Sequence, residues 1–204
     1  MLTHWARNAD GQSHMLLAAM QGETAEQYPG GDERRESDIE AGAARPARLI
    51  LSDVRTAIDQ IEDAWRRMPK DAWSRPTAAR IGPRPAWMSV WARWRETEIH
   101  HVDLNADYAH GHWPAEFVNL MLPRVIPTLA TRLDEEITVQ VETIDRDPPV
   151  TATIASTTGE PVTVRGPASA VLCWLLGRTS AAVADVEVTR CGQASQLPRL
   201  RAWA

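Results

Sequence analysis

The chain has 204 residues and a net charge of −5, with an isoelectric point near 5.7, so nothing in its charge favours a nucleic-acid or anionic-membrane partner. Hydrophobic residues make up 44% and charged residues 24%, the balance of a globular protein with one large or two modest domains. No apolar run approaches the ~20 residues of a membrane span, no signal-peptide pattern opens the chain, and Cys173 and Cys191 are too few for a disulfide framework, which points to a reducing cytoplasm.

Lys70 is the only lysine, which reads as a genomic bias toward arginine. Nine tryptophans stand against one phenylalanine, and packing in the core or between domains is the expected use of most of them.

In chain order, His4 to Met20 reads as a helix, with apolar Met15, Leu16, Ala19 and Met20 and a stop at Gly22. No cap precedes it, which suggests a coding start placed late and an upstream helix left out. Tyr28-Pro29-Gly30-Gly31 is a turn, and a charged, then alanine-rich helix is expected from Arg34 to Ala44. From Ala47, the positions Leu49, Ile50, Val54, Ile58, Ile61 and Trp65 recur at helical spacing until Pro69. Pro76, Pro83 and Pro85 mark a loop. Helices are expected again from Trp87 to Leu104 and from Pro114 to Leu133.

Beyond residue 134 the period changes. Ile137 to Val141 alternates as a strand, with Val150 to Ile154, Val162 to Val164 and Val186 to Val188 as further short candidates. Pro148-Pro149 and Thr158-Gly159 supply turns. Pro167 to Leu176 reads as an apolar helix closed by Gly177. Helices followed by strands predict a two-domain α+β protein: a helical domain over residues 1–134 and a small α+β domain over 135–204.

The chemistry concentrates in Arg93-Trp94-Arg95-Glu96-Thr97-Glu98-Ile99-His100-His101-Val102-Asp103-Leu104. On a helix, Glu96 and His100 are one turn apart on one face and could share a metal ion. Asp103 continues that stripe and could hold the other ring nitrogen of the histidine or a bound water. The spacing is equally that of a polar pair on a solvated helix. Trp87, Trp91 and Trp94 form a stripe nearly opposite, expected to be buried. Two ligands do not make a site, so a third must come from another helix.

Several blocks, in order, resemble the mycothiol-dependent maleylpyruvate isomerases. They are His4-Trp5-Ala6-Arg7-Asn8-Ala9-Asp10-Gly11, Tyr28-Pro29-Gly30-Gly31, Asp38-Ile39-Glu40-Ala41-Gly42-Ala43, and Arg95 to Leu104 with Trp113-Pro114. Trp174-Leu175-Leu176-Gly177-Arg178, Leu197-Pro198 and Trp203 are similar to the end of that family. The resemblance implies a DinB-like N-terminal helical bundle that here lacks the family's first helix, followed by a small α+β domain. It implies zinc held by His4, Glu96 and His100. It also implies a binding and catalytic arginine after the Pro-Gly-Gly turn, at Arg34 with Arg35 as fallback, and a second at Arg178.

The implied reaction is the cis–trans isomerisation of maleylpyruvate to fumarylpyruvate by a zinc-activated mycothiol thiolate, in aromatic degradation by the gentisate route. Cys173 lies mid-helix among apolar residues, so an external thiol is chemically sensible. Two other readings stay open: a mycothiol-dependent S-transferase on another electrophile, and a non-catalytic metal-binding or regulatory protein.

Overall fold

Alanines and larger apolar residues recurring at helical spacing decide how the N-terminal half packs. In the structure, a computed structural model, Leu2–Met20 form α1, Gly31–Ala43 α2, Ala47–Arg67 α3 and Met88–Asp103 α4. Helix α1 presents Ala6, Ala9, Leu16 and Ala19 to Val54, Ala57, Ile61 and Ala64 of α3, and all eight are buried. Small side chains on both stripes let the two helix backbones approach closely. Met68, Ala72 and Ala86 close this core. Helix α3 ends where Met68 turns extended, as the residue before Pro69 must.

Residues 1–154, 161–182, 184–201 and 203 are described, and the turn expected at Thr158-Gly159 lies outside them. None of the described helices is long and apolar enough to cross a membrane.

Helix α2 is mostly charged from Asp32 to Glu40 and buries only Gly42. A β-carbon on Gly42 would collide with the Thr3 methyl, so this glycine lets α2 lie against α1 one residue before His4. The proline-rich stretch is not a loop. Pro76–Ala79 (β1) and Gly82–Pro85 (β2) form a two-stranded antiparallel hairpin, with Pro76 opposite Pro85 and Ala78 opposite Pro83. Proline removes a ladder donor but fits a strand edge, which is why composition hid these strands.

The chain divides into two units at Leu104 and Asn105, thirty residues earlier than the expected boundary near 134. The period change at residue 137 marks a switch from helix to strand and not a domain border. Helix α5, Ala115–Val125, packs its buried Phe117, Val118, Met121, Leu122 and Val125 within the second unit. The single helix expected from Pro114 to Leu133 is broken. Ile126–Thr128 is a 3₁₀ turn centred on Pro127, and α6 covers only Leu129–Arg132.

In the second unit, Val139–Thr143 (β3), Thr151–Ile154 (β4), Val162–Gly166 (β5), Glu187–Arg190 (β6) and Gln193–Ala194 (β7) make one sheet in the order β4-β3-β5-β6-β7. Only β3 and β5 are parallel, with Val139 opposite Val162 and Val141 opposite Val164. Helix α7, Ala168–Leu175, packs on β3, β5 and α5, and a short α8, Thr179–Ala182, follows it. The buried alternation of β3 and β5 faces apolar partners, so the central pair of strands and α7 form the core of this unit.

Of the nine tryptophans only Trp113 and Trp174 are buried; Trp87 is 53% exposed and the other six lie between. The expected burial of a Trp87-Trp91-Trp94 stripe is therefore wrong. The buried side of α4 is Ser89, Arg93, Ile99 and Val102.

Candidate metal centre

Two helices of the first unit supply the site. His4 lies in the first turn of α1, and Glu96 and His100 lie one turn apart on α4. His4 Nε2 stands 3.0 Å from Glu96 Oε2, and His100 Nε2 stands 3.4 Å from the same oxygen. The two imidazoles meet edge to face, 4.9 Å between centroids. One ligand atom from each of the three residues falls within a 4.8 Å cluster, the only such group of metal-ligating side chains among the described residues.

Second contacts orient each ligand. His100 Nδ1 is 2.7 Å from Asp103 Oδ2, so a proton on Nδ1 leaves the Nε2 lone pair facing Glu96. A lone pair aimed at a carboxylate requires a cation between them, either a proton or a metal ion. On His4 the partner is reversed: Arg35 Nη2 is 2.8 Å from Nδ1. A guanidinium only donates, so Nδ1 accepts and Nε2–H of His4 donates to Glu96. Burial opposes the charge of Glu96, but hydrogen bonds from His100 and His4, with the charges of His100 and Arg95, hold its carboxyl well below the usual range. The site keeps an ionised carboxylate beside two imidazoles.

These residues fit a zinc ion. Bonds of 2.0–2.1 Å at tetrahedral angles separate ligand atoms by about 3.3 Å, and two of the separations here are 3.0 and 3.4 Å. Two nitrogens and one carboxylate oxygen leave a fourth position open, the pattern of a catalytic rather than a structural zinc. All three side chains are 15–21% exposed, so solvent reaches them.

The arginines separate. Arg34 is 68% exposed and pairs with Asp38 on the outer face of α2. Its neighbour Arg35 reaches His4 and lies over the Tyr28 ring at 5.3 Å, so the fallback position is the one at the centre. Arg178 belongs to the second unit, where Nη1 donates to the Leu176 carbonyl at 2.7 Å. Cys173 is buried in α7 and Cys191 is exposed. Sequence reasoning missed Arg93 and Trp5, whose roles depend on which helix faces which.

A helical unit carrying a His-Glu-His cluster, followed by a separate α+β unit, defines a two-domain α+β protein. Residues 1–105 match the family model of the mycothiol maleylpyruvate isomerase N-terminal domain, and residues 112–192 match that of the C-terminal domain. The chain belongs to the mycothiol-dependent maleylpyruvate isomerase family of enzymes.

Two solved structures share the fold. A crystal structure of the mycothiol-dependent maleylpyruvate isomerase superposes with a TM-score of 0.81 at 23% identity, covering 99% of this chain and 80% of that one. A histidine-to-alanine mutant of the mycothiol-dependent maleylpyruvate isomerase gives a TM-score of 0.82 at 22% identity with the same coverage. No curated protein matches the sequence.

Proposed function

We propose that the protein isomerises maleylpyruvate to fumarylpyruvate with mycothiol as thiol and zinc as metal, in the cytoplasmic breakdown of aromatic compounds by the gentisate route. The single observation that carries this is the convergence of His4, Glu96 and His100 from two helices in a chain of this family.

A cis double bond flanked by carbonyls isomerises when a nucleophile adds, the resulting single bond rotates, and the nucleophile leaves. Bound at this centre, zinc would supply an open coordination position that favours a thiol as its thiolate. His4, Glu96 and His100 would hold the ion, and the ionised Glu96 would offset part of its charge. Asp103 keeps the His100 ring turned toward Glu96. Arg35, rather than Arg34, is the guanidinium placed to take a carboxylate of an anionic substrate near the centre, since its planar fork makes paired bonds. Arg178 is the proposed second carboxylate partner.

The test is an assay of maleylpyruvate conversion by zinc-loaded protein, with and without mycothiol, beside Glu96→Ala. Thiol-dependent conversion that disappears with bound zinc in Glu96→Ala supports the reading. Conversion by metal-free protein refutes the role of zinc. Failure to convert, with zinc bound and thiol present, moves the protein to thiol transfer onto another electrophile.

A further inference from the structure

Helix α4 brings two of the three candidate ligands, yet none of its residues belongs to the apolar core that seats α1 on α3. The alignment of His4 with Glu96 and His100 must therefore be set by something other than that core. Hydrogen bonds and ring contacts join α1 to α4, and one of the residues making them is a buried cation, Arg93.

Arg93 is 7% exposed. Its Nη1 donates to the Trp5 carbonyl at 3.1 Å and to Asn8 Oδ1 at 3.3 Å, and its guanidinium carbon lies 5.7 Å from the Trp5 ring centroid. Trp5 answers: its Nε1 donates to the backbone carbonyl of Glu96 at 3.1 Å. Trp5 is thus held at its carbonyl by residue 93 and at its indole by residue 96, one turn apart on α4. Asn8 Oδ1 also accepts from Gln12 Nε2 at 3.0 Å, which fixes the far side of the same knot.

Burying a guanidinium is costly, and burial here pushes its pKa down against the favourable charges of Glu96 and Asp10. Nη1 of Arg93 donates to a main-chain carbonyl and an amide oxygen of α1. A side chain placed at that cost, touching the residue next to one ligand and standing one turn before another, sets geometry.

We propose that Arg93 is a positioning residue for the metal centre. By clasping Trp5 it fixes the register of α1 on α4, and so the reach of His4 Nε2 to the oxygen shared with His100. The inference rests on reading His4, Glu96 and His100 as metal ligands, and it adds a residue that touches neither metal nor substrate.

The experiment measures zinc affinity by chelator competition and the visible absorption of the cobalt(II)-loaded protein, whose intensity reports tetrahedral coordination. The proteins are wild type, Arg93→Met, Trp5→Phe and Ile61→Val. The last trims the α1–α3 core and leaves the clasp intact, so it controls for general loss of stability. Arg93→Met should weaken zinc roughly 10–100-fold, the range for loss of a ligand-orienting contact. It should also dim the cobalt bands, and Trp5→Phe should do so in the same direction. Ile61→Val should keep wild-type affinity.

Zinc affinity within twofold of wild type in Arg93→Met, with an unchanged cobalt spectrum, overturns the inference. If Arg93→Met does not fold, Trp5→Phe decides by the same two readouts. Equal weakening in Ile61→Val also overturns it, because the effect would then be stability alone. A wild-type protein that binds no zinc removes the metal-centre reading first and this inference with it, a result distinct from the others.

Discussion

Arg35 donates to the one nitrogen of His4 that a zinc-bound imidazole would use as a donor. With the guanidinium at Nδ1, the ring proton is on Nε2 and points to Glu96; with a metal at Nε2, the proton must be on Nδ1, where it would face a second donor. The two arrangements exclude each other, so metal binding at His4 requires Arg35 to withdraw. The released guanidinium would stand beside the centre, free for an anion. Arg35→Met should therefore bind zinc more tightly than wild type, by up to about tenfold, since both a competitor and a repelling charge are gone. Competition with a chromogenic chelator measures it. Unchanged or weaker binding would mean that Arg35 does not compete for His4.

The Asp103 contact acts in the opposite sense. At 2.7 Å its carboxylate fixes the Nδ1–H form of His100, the form that offers Nε2 to a metal. Asp103→Ala should lower zinc affinity by roughly 10–100-fold, and Asp103→Asn, whose carbonyl still accepts, should lose less. Isothermal titration of both variants gives the comparison. Equal losses would show that the charge of Asp103, and not its orienting bond, is what matters.

Much of this centre was legible because helical spacing is rigid. Glu96 and His100 are four apart, so their common face follows from geometry alone, and Asp103 falls on the same stripe. The third ligand was not legible from spacing. His4 is 92 residues from Glu96, and only the likeness of whole blocks to a family put the two together. Arg34 and Arg35 illustrate the limit: adjacent on a helix they point about 100° apart, and the way α2 lies on α1 at Gly42 decides which one enters the site. The strands Pro76–Ala79 and Gly82–Pro85 escaped notice because proline content reads as loop, and the unit border because α5 is helical like the bundle but packs on α7.

Acid should loosen the first unit through Asp53. Burial disfavours its charge, but Arg45 at 2.5 Å and Arg7 at 2.9 Å, in contact with its carboxylate, lower the pKa below the ordinary value. A carboxyl depressed in the folded state contributes stability that is fully present above its unfolded pKa of about 4 and is lost as pH falls through the folded value. Asp53→Asn should therefore cost about 1 kcal/mol near neutral pH, the modest size of a partly exposed ion pair, and nothing at the lowest pH where the fold survives. Urea unfolding at pH 7 and near pH 3 tests this; an equal cost at both would show that the ion pairs are not its source.

Gly11 tests how tightly α1 is pressed against the segment leading into the Pro-Gly-Gly turn. A β-carbon there would stand 2.6 Å from the Gln27 carbonyl oxygen and 3.0 Å from both Gln27 Cγ and the Tyr28 ring. The Gln27 backbone is itself anchored, because its N–H donates to the Ala78 carbonyl at 3.0 Å, so it has little room to yield. Alanine is the better helix former by about 1 kcal/mol, and at an open position Gly11→Ala would stabilise. Here the clash should outweigh that gain and leave a net loss of about 1–3 kcal/mol, the cost of overpacking. Because Tyr28 lies beneath Arg35, the shift should carry to the centre, and zinc affinity should change along with the unfolding midpoint. A Gly11→Ala protein as stable as wild type would show that the Gln27 segment moves aside freely, and that α1 does not hold Arg35 in place through it.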